Sequence, residues 1–246
     1  MISIGIGIVS LAVRGVRVQG WTPALLFANG EQGAWYDPSD LTTLWQDAAG
    51  TVPVTADSQP VRLILDKSGR GNHATAPSDA ARPLYRTAGG LHWLDFDGVD
   101  DLFYFASQSA MRLLAAAMAI DPDYLGGSAD LGSVIGSNSD ANAINYRTPP
   151  SVDPQRFENT MTGQHGQGAS CHINRANTTS YPLGAFVYRD GTAAASKTFD
   201  RFPDTNRGRR GAHLLYGLVF CGVFPGASDV ADLETYLAAK SGVTLP

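Results

Sequence analysis

The chain has 246 residues, 43% hydrophobic and 17% charged, with 27 Gly, 14 Pro and a formal net charge of -5. That length suits one sandwich or barrel domain burying roughly 70 to 75% of its unfolded surface, so stability requires neither a disulfide nor a metal or other cofactor. The small negative charge supplies no general field for nucleic acid or an anionic membrane, and the Gly- and Pro-rich balance is that of short strands joined by tight turns.

At the amino end, Ile2 to Val13 is apolar, but no Lys or Arg precedes it and Arg14 and Arg17 follow it, which is not the order of a signal peptide. The run is also too short to span a bilayer. Ile2, Ile4, Ile6 and Ile8 share one parity and Ser3, Gly5 and Gly7 the other, a strand with one apolar face and one nearly bare face. Glycines of this kind let another backbone approach closely. Residues 1–20 therefore read either as an arm that docks on a neighbouring subunit, making the protein a homo-oligomer, or as a plain first strand, with one domain over 21–246.

Asp37 followed by Pro38 predicts a short helix, with Leu41, Leu44 and Trp45 on one face and Gly50 and Pro53 closing it. From about Val61 the chain alternates short apolar runs with turn clusters, the pattern of an all-β sandwich. The predicted strands are Val61 to Leu65, Leu91 to Phe96, Leu102 to Phe105, Ala115 to Ile120, Gly132 to Ile135, Ala143 to Tyr146, Leu183 to Tyr188 and His213 to Phe224. After Pro225-Gly226 the period changes: Val230, Leu233, Tyr236 and Leu237 repeat at helical spacing, with Ser228 as the expected cap and Gly242 as the stop.

Three segments carry a resemblance: Gly33-Ala-Trp-Tyr-Asp-Pro-Ser-Asp-Leu-Thr-Thr-Leu-Trp-Gln-Asp, Leu65-Asp-Lys-Ser-Gly-Arg-Gly-Asn-His-Ala-Thr, and Leu94-Asp-Phe-Asp-Gly-Val-Asp-Asp. In this order, and with the strand from Leu214 and the final helix behind them, they resemble the concanavalin-A-like, laminin-G-like domains of tailed bacteriophages. The likeness covers most of residues 20–246 and is weakest over 121–182. It implies a two-sheet jelly roll in a virion structural protein assembled in the bacterial cytoplasm. Such a protein sits near the tail tip or fibres, or decorates the particle, with other virion proteins and a host-surface glycan as partners. Fold alone hosts many functions, so it implies no particular ligand.

Individual motifs weigh toward binding rather than catalysis. The turn Asp66 to His73 lacks the spacing of a phosphate loop and no apolar helix follows it, so it reads as a structural turn in which His73 forms hydrogen bonds. Asp95, Asp97, Asp100 and Asp101 crowd four carboxylates into seven residues. That is either a hairpin turn at Asp97-Gly98 or an oxygen-ligand site for calcium, which laminin-G-like domains can hold. Glycoside hydrolysis needs two carboxyl groups across the scissile bond, whereas Glu31, Glu158 and Glu234 stand far apart, so a glycan-degrading enzyme is the alternative reading. No G-x-S-x-G elbow accompanies the five histidines, and Cys171 and His172 are strand neighbours that point to opposite faces. Cys171 and Cys221 read as free buried thiols. The basic run Arg207 to Arg210, with Arg189 and Arg201 upstream, reads as a solvated loop or a subunit salt-bridge patch, with gripping of phosphate or acidic sugar as the alternative. The amide-rich stretch Gly136 to Tyr146 suits sugar hydroxyls, with Asp140, Asn142, Asn145 and Tyr146 as candidate ligand contacts.

Overall fold

The structure, a computed structural model, describes residues 20–120, 131–137, 142–147, 156–157, 160–161, 171–194, 197–203 and 211–246. The strands are β1 (Gly33–Tyr36), β2 (Leu44–Trp45), β3 (Leu63–Ile64), β4 (Ala74–Thr75), β5 (Leu84–Ala88), β6 (Leu91–Asp97), β7 (Phe103–Met111) and β8 (Leu113–Ile120). They continue with β9 (Leu131–Ile135), β10 (Ile144–Arg147), β11 (Arg156–Phe157), β12 (His172–Ile173), β13 (Ala176–Asn177), β14 (Ala185–Gly191), β15 (Lys197–Phe202) and β16 (Ala212–Cys221), and the chain closes with helix α1 (Ala227–Ser241). Among the described residues a large sheet runs β13-β12-β14-β8-β16-β6-β5, with β1 also paired to β16. A five-stranded sheet runs β15-β7-β4-β3-β2, and a three-stranded one β11-β10-β9.

Strand β8 explains the layering. Its eight residues, Leu-Leu-Ala-Ala-Ala-Met-Ala-Ile, are all buried, because the strand has a neighbour on each face. Leu114, Ala116, Met118 and Ile120 enter the inner core with Leu215, Leu218 and Phe220 of β16 and Phe103, Phe105 and Phe199 of the five-stranded sheet. Phe105 and Phe220 meet across the sheets with ring centroids 5.1 Å apart. The two sheets therefore pack face to face as a sandwich.

The other parity of β8, Leu113, Ala115, Ala117 and Ala119, joins a second cluster with Leu233, Leu237 and Ala238 of α1. Small residues under the helix let it lie close, and a β-carbon added at Gly217 would sit 3.2 Å from Leu237 Cδ2. Each fully buried leucine there contributes roughly 1.5 to 3 kcal/mol. A polar clamp fixes the helix laterally. Asp37, 3% exposed, accepts from Ser39 Oγ at 2.6 Å, Tyr236 OH at 2.8 Å, Lys240 Nζ at 2.9 Å and Lys67 Nζ at 3.1 Å. Burial acts to raise its pKa, but the Ser39 hydrogen bonds and the charges of Lys240 and Lys67 hold it down to about 2.

Several expectations are corrected. The helix predicted from Asp37 is instead a turn, a three-residue 3-10 segment at Leu41–Thr43 capped by Asp40, and then β2. The reason is that the Asp37 side chain is drawn into the clamp and, apart from Ser39 N, accepts from side chains rather than from a helix's orphan amides. Helix α1 starts at Ala227 with Gly226 as its cap residue, which puts Ser228 inside the first turn; Gly242 does stop it, at φ 71°. The Asp97-Gly98 turn is not a hairpin, because β6 belongs to the large sheet and β7 to the five-stranded one. The expected arm over residues 1–20 lies outside the described residues except for Gly20.

Gly33 marks where β1 meets β16. Its φ is 136°, and any β-carbon would fall 2.0 Å from the Phe220 carbonyl oxygen. Gly33→Ala is expected to destabilise the fold by roughly 3 kcal/mol or more and lower Tm by roughly 6 °C or more, measured by thermal denaturation. His213 supplies a pH test. It is 1% exposed and stacked on Phe96 at 4.9 Å. Neither ring nitrogen makes a hydrogen bond of good geometry among the described residues, though the Gly211 backbone approaches the ring. Burial pushes its pKa from 6.5 down to about 4. The unfolded chain binds this proton more readily than the folded one, so the stability it contributes is complete above pH 6.5 and is lost as pH falls through about 4. Replacing it, as His213→Leu, should flatten the fall of Tm across that window; an unchanged acid limb would refute this account.

Candidate functional site

The turn after β3 is a framework element. The Asp66 carboxylate accepts from Trp35 N at 2.9 Å, Ser68 N at 2.8 Å, Ser68 Oγ at 2.7 Å and Asn72 N at 3.0 Å. His73 Nδ1 accepts from Asp66 N at 3.0 Å, and Asn72 Nδ2 donates to Gly33 O at 2.7 Å. Tyr36 OH donates to the Asn72 carbonyl and Gln108 Nε2 to Asn72 Oδ1. Two of these donors, Ser68 N and Asn72 N, are amides that a phosphate loop would aim at its ligand. Here they are spent on a buried aspartate, which locks β1 to the loop.

The acidic turn brings together three of its four predicted ligands. Oxygens of Asp97, Asp100 and Asp101 lie within 4.8 Å of one another, an oxygen donor set suited to a hard cation. Asp97 Oδ1 already accepts from Val99 N and Asp100 N, and Asp101 Oδ2 from Asp97 N at 2.8 Å. Asp95 stands apart, its carboxylate 4.0 Å from Arg86 Nη1, because it lies within β6, paired with Leu84 of β5, whereas the other three gather at the end of the strand and in the turn beyond it. Burial, reinforced by Asp97, Asp100 and Asp95, raises the pKa of Asp101 from 3.8 to about 7. A raised acid favours the fold fully below its ordinary pKa and loses that contribution as pH climbs through 7. Asp101→Asn should therefore raise Tm at pH 8 while leaving it nearly unchanged at pH 4, and calcium should stabilise the parent chain at pH 8 but not the variant. No calcium response would remove the cluster as a cation site.

The stretch predicted to touch sugar lies largely inside. Asp140 is outside the described residues. Tyr146 is 0% and Asn145 1% exposed, the former packed against Phe157 and Tyr181 with its hydroxyl donating to the Ala212 carbonyl at 3.2 Å. Asn142 is occupied structurally, donating to Ser137 Oγ at 2.9 Å and accepting from Thr198 N at 3.0 Å. The cause is strand parity: Ile144 and Tyr146 share the core face of β10, and Asn145, buried as well, is enclosed by β9 and its neighbours. Among the described residues, Arg189 and Arg201 do not form one patch. Arg201 on β15 pairs with Asp200 and lies over the Tyr104 ring at 4.9 Å, Arg189 sits in the other sheet, and 207–210 lie outside the described residues.

Sequence reasoning missed a groove of about 570 Å³ between α1 and β14. Its walls are His172, Arg175, Arg189, Glu234, Phe224 and the small side of α1 at Ala227, Val230 and Ala231. Arg189 projects from β14 opposite His172 of β12, and its Nε donates to Glu234 Oε1 at 2.8 Å. Arg175 reaches the helix from the β12–β13 turn, donating to Ala231 O at 3.2 Å and Thr235 Oγ1 at 2.8 Å, with Nε 3.4 Å from Glu234 Oε2. That turn holds Asn174 and Arg175 at φ 48° and 70°, the left-handed pair of a tight hairpin. The only sequence signal was a glutamate on an apolar helix face. A second cavity, about 380 Å³, opens near Asp95, Ala119, Gly184 and Leu214. Each of these two grooves has a single carboxylate among its described walls, Glu234 in one and Asp95 in the other, whereas a smaller cavity of about 180 Å³ is lined by both Glu31 and Asp229.

Cys171 and Cys221 are free and buried, with their thiol pKa values raised by burial. Among the described residues no helix is long and apolar enough to cross a membrane. No protein-family model matches the chain, and no curated protein matches it. Among solved structures it is similar to Trypanosoma rangeli sialidase in complex with the inhibitor DANA, at 14% identity over 84% of this chain and 37% of that chain, with a TM-score of 0.42. A covalent intermediate of Trypanosoma rangeli sialidase with 2,3-difluorosialic acid gives 14% identity over 87% and 34%, with a TM-score of 0.38. The chain thus spans little more than a third of the sialidase chains it matches. At this similarity the likeness decides nothing about chemistry.

Proposed function

We propose that this chain is a lectin-like structural protein of a tailed-bacteriophage particle, built on a concanavalin-A-like jelly roll and binding a host-surface glycan without cleaving it. The observation that carries the reading is the groove beside α1, which joins a fixed guanidinium to an apolar wall at Phe224 and Val230. Saccharides are held by this combination of directed hydrogen bonds and flat apolar contact. Two of the three segments that resemble the phage domains interlock through Asp66 and Asn72, which gives them a shared framework role. The groove that carries this reading has one carboxylate in its described walls where glycoside hydrolysis takes two. In this reading residues 1–19 join copies of the chain or neighbouring virion proteins, at the tail tip or fibres or as a decoration. Calcium, where present, steadies the acidic turn.

Purified protein passed over immobilised host capsule or lipopolysaccharide should be retained and release no shortened chains. Shortened chains would make it an enzyme, and absence of retention a purely architectural protein. Deleting residues 1–19 should abolish incorporation into particles while leaving thermal unfolding intact; normal incorporation would remove the arm's role.

A further inference from the structure

We infer that the groove between α1 and β14 is a subsite for a single carboxylate of an acidic saccharide, received by the outer edge of Arg189. This deepens, and rests on, the glycan-binding reading above. Arg189 is 8% exposed, and Glu234, 4% exposed, anchors one edge of its guanidinium through Nε. Among the described residues no acceptor meets the two terminal amino groups of Arg189, and the residue lines the groove. A guanidinium held at one edge presents parallel N–H donors along another, the geometry that a planar carboxylate matches with two hydrogen bonds.

Charge selects the kind of anion. Glu234 pairs with both arginines, and Arg175 also donates to Pro246 O at 3.2 Å, so the outer edge of Arg189 is the part left for a ligand to meet. A monoanionic carboxylate matches that one edge, whereas a phosphate dianion would bring a second negative charge to face Glu234. Leaving a nearly buried guanidinium edge without an acceptor forfeits strong charge-assisted bonds, so the ligand that supplies one gains them. Arg175 is tied to the helix by three polar contacts and so acts as a positioning residue: it fixes Glu234 from the other side and keeps the groove positive. Phe224, Val230 and Ala231 form the apolar wall for the sugar ring that carries the carboxylate.

The test uses the whole chain and two forms of one polymer: host surface polysaccharide, and the same material after carbodiimide activation and reduction of its carboxyl groups to alcohols. The native polymer should be retained, and the reduced one bound about tenfold or more weakly. Arg189→Lys, which keeps the charge and removes the fork, and Ala231→Glu, which adds a carboxylate to the groove wall without touching the Arg189–Glu234 pair, should each weaken binding of the native polymer about tenfold. The second variant serves if the first lowers Tm. Equal retention of both polymers, or full retention by a folded Ala231→Glu, overturns the carboxylate subsite while leaving glycan binding in place. Retention of neither form by the parent chain defeats the glycan reading itself.

Discussion

The distance between α1 and the large sheet governs everything on the outer side of this molecule. That distance is set by what is missing: alanines at 115, 117 and 119 on β8, and no side chain at Gly217. A helix seated this low buries Leu233 and Leu237 completely, and its shoulders then stand above the flanking strands as the walls of grooves. Larger residues under the helix would fill the layer equally well in hydrophobic terms. They would also lift Glu234 away from Arg189 and open the floor of the larger groove.

Buried acids serve as joints throughout. Asp66 gathers β1 and its neighbouring turn, Asp37 gathers two lysines and Tyr236, and Glu234 gathers two arginines. Removing one partner from such a group is costly, because the remaining charge stays where water cannot reach it. In this chain such charges tie one element of the fold to another. The Arg189–Glu234 joint differs from the others in that part of its guanidinium still faces solvent-accessible space.

Strand β6 and helix α1 were legible from their apolar spacing, and β8 and β16 from apolar runs long enough to stand out between turn signals. Strand β15 was not: Lys197 and Arg201 are buried charges, and register shifts on either side of Phe199 break the alternation. Strand β1 was missed for the opposite reason, since all four of its residues are buried and nothing alternates. The Asp37-Pro38 pair looks like a helix start only while Lys67, Tyr236 and Lys240, far along the chain, are left out of account. The groove drew its residues from 172 to 234, joined by strand pairing that no local pattern encodes. Within the amide-rich stretch, composition suggested a surface, but strand parity sent Tyr146 to the core.

Both thiols in the sequence are enclosed, Cys221 beside the Leu26 carbonyl and Cys171 near Asp190, and burial keeps each protonated at neutral pH. Since thiolate is the form that attacks electrophiles, the native protein offers maleimide reagents almost nothing to modify. A cysteine introduced on the rim of either groove would then carry the label by itself, with no need to remove Cys171 or Cys221 first.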